Sequence, residues 1–293
     1  MDSTTDGFSV GSAPAFVPPG RALQLAGRGT TFIREVAGPP GAPVVMLLHG
    51  LSATGGLNWA WAFEPLGRQY RVIAIDHRGH GRGIRPGRFR LADCADDVAA
   101  LADALAIDSL IPVGYSMGGP IAQLLWHRHR SLVSGMVLCA TSRNFRGQQR
   151  EIGLWSLQPF VTAGLRTAPP SARRAFMNRM VARRMPDFPA RAWVLDELSR
   201  NDPAVMTEAW GALARFSSHE WIGDVDVPTA VVVTKRDGLV PPRRQLRLAE
   251  EIPGARVIPV EGDHDVCVAA PDLFIPALQS ALTTVTTLAP RPL

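Results

Sequence analysis

Lysine is almost absent from this chain, because Lys235 is the only lysine among its 31 Lys and Arg residues. The formal net charge is +5 and the isoelectric point is about 9.8, which on charge alone would suggest a nucleic-acid partner. The arginines are scattered, however, and the densest group, between positions 173 and 184, follows the spacing of the solvated face of an amphipathic helix. We therefore predict no nucleic-acid partner.

Cysteine is scarce as well. Cys94, Cys139 and Cys267 are the only three cysteines, they lie far apart, and none belongs to a C-x-x-C pair. This spacing argues against a disulfide framework and against a cysteine-based zinc cluster. We interpret the three side chains as small apolar fillers of the core and predict no metal site.

Long apolar runs and a secretory leader are both missing. No uninterrupted apolar segment approaches the roughly 20 residues that a membrane span requires. The first residues contain Pro, Gly, Ser and Thr, but no basic start followed by an apolar stretch. These features predict a cytoplasmic protein without a membrane partner, and a flexible tail over residues 1–20.

Short apolar runs alternate with helical patterns along the rest of the chain. Several runs, such as Val44–Leu48, are apolar throughout, which is typical of strands buried on both faces of a parallel sheet. We predict strands at Thr30–Val36, Val44–Leu48, Arg71–Ile75, Ser109–Val113, Gly135–Cys139, Thr229–Val233 and Arg256–Val260. We predict helices at Leu91–Leu105, Met117–Arg130, Pro242–Glu251 and Pro271–Leu282. The fold class is therefore α/β, with a doubly wound and mostly parallel sheet.

Residues 143–220 interrupt this alternation with helical patterns alone. Asp202-Pro203 is a good helix start, with Asp as the N-cap and Pro at the first helical position. We predict a helical cap at 143–220, inserted into a core formed by residues 21–142 and 221–293. The alternative is that these helices only complete the core.

The most specific motif is Gly114-Tyr115-Ser116-Met117-Gly118. It follows a predicted strand directly and opens a predicted helix, which is the context of a G-x-S-x-G nucleophile elbow. Gly114 and Gly118 allow close packing at the bend, and the serine at its tip projects its hydroxyl group. We predict that Ser116 is a nucleophile, the alternative being an ordinary glycine-rich turn.

A serine nucleophile needs a base and an acid that orients the base. His264 follows the predicted strand Arg256–Val260 on a short loop, and Asp237 follows the predicted strand Thr229–Val233. We predict that His264 is the general base and that Asp237 orients it. Asp263 and Asp265, which flank the histidine, remain alternatives for the acid.

Acyl transfer also needs donors for the oxyanion of the tetrahedral intermediate. The backbone N–H of Met117, directly after the nucleophile, is the first candidate. The second is the N–H of Leu51, because Gly50 permits a tight turn after the strand Val44–Leu48. His49 could be a second base, but we predict that it braces this loop through hydrogen bonds.

Taken together, these motifs resemble the α/β-hydrolase family, in the branch with a helical cap. The turn Asp76-His77-Arg78-Gly79-His80-Gly81 is similar to a structural turn of that family, so the resemblance implies that His77 and His80 are not metal ligands. Dehalogenases and epoxide hydrolases of similar build carry Asp where this chain has Ser116. The resemblance covers about Leu23 to the C-terminal helix, apart from the cap.

The resemblance implies hydrolysis of a small to medium apolar ester through an acyl-enzyme, without a metal or an organic cofactor. Residues of the cap should line an acyl pocket, with Trp155, Leu157 and Phe160 as candidates. The same triad would serve a lactonase or a hydrolase that cleaves a C–C bond of a ring-fission product. A non-catalytic ligand-binding homologue is a further alternative, although such a protein typically lacks one member of the triad.

Overall fold

A computed structural model describes residues 16–85, 87–145, 161–169, 171–172, 175 and 191–288. Eight strands in these residues form one sheet. They are β1 (Gly20–Leu25), β2 (Gly29–Val36), β3 (Val44–Leu48), β4 (Arg71–Ile75), β5 (Ile111–Tyr115), β6 (Met136–Cys139), β7 (Thr229–Thr234) and β8 (Arg256–Val260).

The strand order is β1-β2-β4-β3-β5-β6-β7-β8. The strands β3 to β8 run parallel, whereas β1 and β2 form an antiparallel edge. This topology confirms the predicted fold class. Sequence analysis missed β1, which begins at Gly20, because the alternating exposure of an edge strand produces no continuous apolar run.

The strands of the sheet direct alternate side chains to two separate apolar cores. On β3, Met46 and Leu48 enter one core and Val45 and Leu47 enter the other. Apart from a helical segment at 161–167, the α-helices in the described residues are α1 (Gly55–Asn58), α2 (Phe63–Gly67), α3 (Leu91–Ala104), α4 (Gly118–Arg128), α5 (Arg191–Ser199), α6 (Pro203–Arg215), α7 (Pro242–Glu251), α8 (Val266–Ala269) and α9 (Pro271–Leu288). The helices α3, α4 and α7 cover the first core, and α2 and α9 cover the second. Both faces of the sheet are therefore buried.

Between β6 and β7 lies the segment of residues 143–220, which we call the insertion. Its described part contains a helical segment at 161–167, followed by α5 and α6. The two ends of the insertion meet in an antiparallel bridge between Asn144 and Ser217. The predicted N-cap is present, because the Asp202 carboxylate accepts hydrogen bonds from the backbone N–H groups of Ala204 and Val205.

The insertion contacts the core beside the carboxyl ends of the parallel strands. The methyl groups of Val205 pack where a side chain at Gly79 would otherwise lie, and the Asp202 N–H donates to the Gly79 carbonyl. Trp155, Leu157 and Phe160, the predicted pocket residues, lie outside the described residues. Within the described ranges, no helix is both long and apolar enough to cross a membrane.

Candidate active site

Ser116 lies at the sharp turn between β5 and α4. Its φ angle is +51°, in the left-handed region that non-glycine residues rarely adopt. The turn is held because the Ser116 N–H donates to the Cys139 carbonyl, and the Thr141 hydroxyl donates to the Ser116 carbonyl at 2.8 Å. A strained serine at this position is the backbone arrangement of a nucleophile elbow.

Two glycines make this turn sterically possible. A Cβ atom at Gly114 would overlap the carbonyl oxygen of Gly118, and a Cβ atom at Gly118 would overlap the carbonyl oxygen of Leu48. Both contacts are with backbone atoms, which cannot move without shifting a strand or a helix. The motif therefore requires glycine on both sides of Ser116 for the close approach of β5, β3 and α4.

His264 connects the serine to the acid predicted from the sequence. Its Nε2 lies 2.9 Å from Ser116 Oγ and its Nδ1 lies 2.9 Å from Asp237 Oδ2. With Nδ1 protonated toward the carboxylate, Nε2 is free to accept the serine proton. The structure thus brings together three side chains that lie far apart in the sequence, in the order of a serine–histidine–aspartate triad.

Asp237 is buried, and both of its oxygens accept several hydrogen bonds. Oδ1 accepts from the backbone N–H groups of Leu239 and Val240, whereas Oδ2 accepts from the Thr234 hydroxyl, the Gln245 amide and His264. Burial raises the pKa of the Asp237 carboxyl, but the hydrogen bonds and the charge of His264 lower that pKa by more, so it lies below the ordinary value. The acid is therefore ionised at neutral pH.

Asp263, the alternative acid, holds backbone instead. Its Oδ1 accepts from the N–H of Gly238 at 2.9 Å and from the N–H of His264 at 2.7 Å. Asp263 therefore ties the loop of Asp237 to the loop of His264. Within the described ranges, neither Asp263 nor Asp265 makes a hydrogen bond to the imidazole ring of His264.

The second predicted donor loop, at residues 49–52, lies next to the serine. A Cβ atom on Gly50 would lie 3.3 Å from Ser116 Cβ, which shows how closely this loop approaches the nucleophile. The Gly50 N–H donates to Asn58 Oδ1 at 2.9 Å. Within the described ranges, neither the Leu51 N–H nor the Met117 N–H donates a hydrogen bond to another residue. Both N–H groups can therefore donate to a substrate oxygen.

His49 braces the same loop. Its Nδ1 donates to the Gly50 carbonyl at 2.8 Å, and its Nε2 accepts from the His77 N–H at 3.0 Å. The Gly50 carbonyl and the Leu51 N–H belong to one planar trans peptide and point in opposite directions. Holding the carbonyl on one side therefore orients the N–H on the other. This geometry agrees with a bracing role and leaves neither ring nitrogen of His49 free to act as a base.

Three buried histidines lie behind this loop. The His49 ring centroid is 4.4 Å from that of His77 and 5.1 Å from that of His80. Burial lowers the pKa of His49 to about 4, and burial together with the neighbouring rings lowers the pKa values of His77 and His80 well below the ordinary range. All three are therefore neutral at pH 7. In the part of the chain that the structure describes, no group of three His, Cys, Asp or Glu residues is arranged to hold a metal ion.

Tyr115 and Gln245 support the site and were missed by sequence analysis. The Tyr115 hydroxyl donates to the His264 carbonyl at 2.7 Å. The Gln245 amide is fully buried and donates to Thr234, Asp237 and the Val240 carbonyl. Tyr115 is the variable position of the motif, and Gln245 lies inside an amphipathic helix. Neither position carries a sequence signal that separates it from an ordinary core residue.

A cavity of about 620 Å³ lies at the junction of the insertion and the core. Its lining includes Phe89, Thr162 and Glu208, with arginines at its margin, namely Arg88, Arg166 and Arg215. The Arg166 guanidinium is already paired with Glu208. None of the three triad side chains lines this cavity.

This fold and this site define the class of protein. The chain belongs to the α/β-hydrolase fold family, whose model matches residues 43–271. Membership of this family makes the protein a hydrolase.

Individual relatives share between 25% and 29% of their residues with this chain. The RutD protein of Agrobacterium fabrum, a carbamate hydrolase by name, is 29% identical over 260 residues, covering 80% of this chain and 90% of RutD. The proline iminopeptidase PfmaB of Pestalotiopsis fici is 27% identical, covering 87% of this chain and 96% of its own. Among solved structures, Est816, described as an N-acyl homoserine lactone degrading enzyme, aligns with a TM-score of 0.66 and 25% identity, covering 89% of this chain and 99% of Est816.

Proposed function

We propose that this protein is a serine hydrolase that cleaves carboxylic esters of small to medium apolar substrates through an acyl-enzyme. The observation that carries the proposal is the hydrogen-bonded chain from Ser116 Oγ through His264 to Asp237, with 2.9 Å at both junctions. The strained turn at Ser116 and the two N–H groups beside it support the same reaction class.

In the proposed reaction, Ser116 Oγ attacks the carbonyl carbon of the ester while His264 Nε2 takes the hydroxyl proton. The carbonyl oxygen becomes an oxyanion, which the N–H groups of Met117 and Leu51 bind. Collapse of the intermediate expels the alcohol, which receives its proton from His264 and leaves an acyl group on Ser116. Water then attacks the acyl carbon while His264 takes its proton, and collapse of this second intermediate breaks the bond to Ser116 Oγ, releases the carboxylic acid and returns the proton from His264 to the serine. Asp237 stabilises the imidazolium in both halves. These steps need no metal and no organic cofactor.

The names of the relatives support acyl transfer as the reaction, but they indicate different bonds as the one that is cleaved. A carbamate, a peptide of proline and a lactone are the substrates that their names indicate. All three are derivatives of carboxylic or carbamic acids, whose hydrolysis passes through a tetrahedral intermediate. This shared chemistry favours an ester or a lactone as the substrate of this protein over a compound cleaved at a C–C bond. A lactone is the second candidate substrate, supported by the likeness to Est816. We also propose that the protein is located in the cytoplasm.

A panel of p-nitrophenyl esters with acyl chains of increasing length tests the proposal. We expect turnover that improves with each methylene group that fits, by up to about 0.8 kcal/mol in binding, and then falls. Ser116→Ala should abolish turnover and abolish labelling by a fluorophosphonate probe, measured by intact-protein mass. Ser142→Ala is the matched control, because Ser142 is a buried serine just beyond β6 that, within the described residues, makes no hydrogen bond to the triad.

Three outcomes would redirect the proposal. Labelling that persists in Ser116→Ala would show that another residue is the nucleophile. Efficient opening of acyl homoserine lactones with poor ester turnover would decide for a lactonase. Cleavage of a ring-fission diketone without ester turnover would decide for a C–C hydrolase.

A further inference from the structure

Asn201 of the insertion reaches the proposed oxyanion loop from outside the core. It lies in the short turn between α5 and α6 and is buried, with 4% of its surface exposed. Its Nδ2 donates to the Ser52 carbonyl at 2.7 Å, and its Oδ1 accepts from the Gly81 N–H at 2.9 Å. The side-chain amide of Asn201 therefore connects the core loop that carries Ser52 with the core loop that carries Gly81.

Asn201 holds its partner at a strained position. Ser52 directly follows Leu51 and has a φ angle of +64°, which a residue with a side chain rarely adopts. A strained backbone persists only where surrounding contacts hold it. The insertion supplies two such contacts, because the Ser52 hydroxyl also lies 3.5 Å from the sulfur of Met206 on α6.

The chemistry of the two contacts requires asparagine. The Gly81 N–H is a donor and the Ser52 carbonyl is an acceptor, so the residue between them must offer one acceptor and one donor. An aspartate of the same size would still accept from Gly81 but would present a second oxygen to the Ser52 carbonyl. An alanine would leave both buried backbone groups without a partner.

From these contacts we propose that Asn201 is a positioning residue for the oxyanion hole. It holds Ser52 in its left-handed conformation, and Ser52 in turn fixes the direction of the Leu51 N–H. His49 orients the same peptide from the core side, through the Gly50 carbonyl. Correct docking of the 200–206 turn is therefore a condition for a complete oxyanion hole. This inference rests on the proposed function, since it assigns a role in the same site.

Asn201→Asp and Asn201→Ala test the role. Without the donor to Ser52, we expect kcat for a p-nitrophenyl ester to fall on the order of ten- to hundred-fold, because complete loss of an oxyanion donor costs about 10²–10³ in rate. KM should change little, because the oxyanion forms only after the ester has bound. Arg85→Ala is the matched control. It removes hydrogen bonds to the carbonyls of Gly81 and Arg200 on either side of Asn201 but leaves the contact of Asn201 with Ser52 in place, and should leave kcat unchanged.

A trifluoromethyl ketone inhibitor separates positioning from general loosening. Ser116 Oγ adds to the ketone carbon, the serine proton passes to His264, and the ketone oxygen becomes an anion in the oxyanion hole. We expect its inhibition constant to rise in both Asn201 variants by the factor by which kcat falls. The inhibition constant of the matched secondary alcohol, which forms no anion, should stay unchanged. If Asn201→Ala fails to fold, the isosteric Asn201→Asp still provides both measurements.

The possible outcomes are distinguishable. Unchanged kcat and unchanged ketone inhibition in both variants, with an active wild-type protein, would overturn the role of Asn201 alone. Equal weakening of ketone and alcohol binding would also overturn it, because that pattern indicates a damaged pocket. A wild-type protein that reacts with neither ester, ketone nor fluorophosphonate would overturn the proposed function and this inference with it.

Discussion

His264 Nδ1 and Asp237 Oδ2 are joined by a hydrogen bond of 2.9 Å, and the other oxygen of the same carboxylate is occupied by two backbone N–H groups. This division fixes which oxygen faces the histidine. It also means that the carboxylate cannot rotate to present its other oxygen without breaking the contacts to Leu239 and Val240.

The first prediction is that Asp237→Asn lowers kcat by roughly 10³–10⁴-fold while the protein stays folded. The amide oxygen must accept from the N–H groups of Leu239 and Val240, so the NH₂ group faces His264. The ring then adopts the tautomer with a proton on Nε2 and cannot accept the proton of Ser116. Steady-state kinetics and a urea unfolding curve check both parts. Asp263→Asn is the control and should retain most of the activity, and a larger loss there than in Asp237→Asn would contradict the assignment of the acid.

The second prediction concerns Tyr115→Phe, which removes the hydroxyl donor to the His264 carbonyl. We expect a loss of about 1 kcal/mol in the free energy of unfolding and a several-fold decrease in kcat with KM unchanged, because the loop that carries the base loses its tether. Tyr70→Phe is the matched control, since Tyr70 is also buried but lies away from the site. Equal effects of both variants on kcat would argue against a role of Tyr115 in holding the base.

Gly118→Ala carries the third prediction. In an ordinary helix this change would stabilise the protein by up to about 1 kcal/mol, but here the added methyl group overlaps the Leu48 carbonyl at the end of β3. We expect destabilisation by about 1–3 kcal/mol or more, together with loss of probe labelling at Ser116. Gly87→Ala is the control, because open space surrounds that glycine. A Gly118→Ala protein as stable as the wild type would contradict the close packing at the elbow.

The fourth prediction is a loss of stability as the pH falls from about 6.5 towards 4. Unfolded histidines titrate near 6.5, whereas burial lowers the folded-state pKa of His49 to about 4 and holds the pKa values of His77 and His80 well below the ordinary value. In this window the unfolded chain binds more protons, so each buried histidine lowers the free energy of unfolding by up to about 1.4 kcal/mol per pH unit. The raised pKa of the buried Asp76 carboxyl opposes part of this loss, because the folded state takes up that proton first.

Urea midpoints at pH 7.5 and pH 5.0 measure this loss. His80→Gln should reduce the difference between the two midpoints, whereas His127→Gln, at an exposed position on α4, should leave it unchanged. The lowered pKa of Asp237 contributes only below about pH 4, because its stabilisation is complete above the unfolded pKa of the carboxyl. Stability that does not change between pH 7.5 and 5.0 would contradict neutral burial of the three histidines.

The sequence by itself determined the fold class, the elbow and the order of the three triad candidates. These features depend on local chain geometry. Apolar runs such as Val44–Leu48 can be buried only on both faces. The strand–serine–helix turn needs Gly114 because a Cβ atom there would overlap the Gly118 carbonyl only four residues away. The start of α6 at Asp202-Pro203 is local for the same reason, since the cap bonds to residues only two and three positions away.

Only the tertiary structure decided which carboxylate faces His264 and which side chains hold the two loops beside Ser116. Asp263 is the histidine's neighbour in sequence, yet its carboxylate binds backbone, while Asp237 reaches the ring from 27 residues away. Asn201 meets Ser52 across 149 residues, and His264 meets Ser116 across 148. Such contacts form because the carboxyl ends of the parallel strands share one edge and the insertion folds back onto it. The spacing of residues along the chain does not predict which of these distant residues meet.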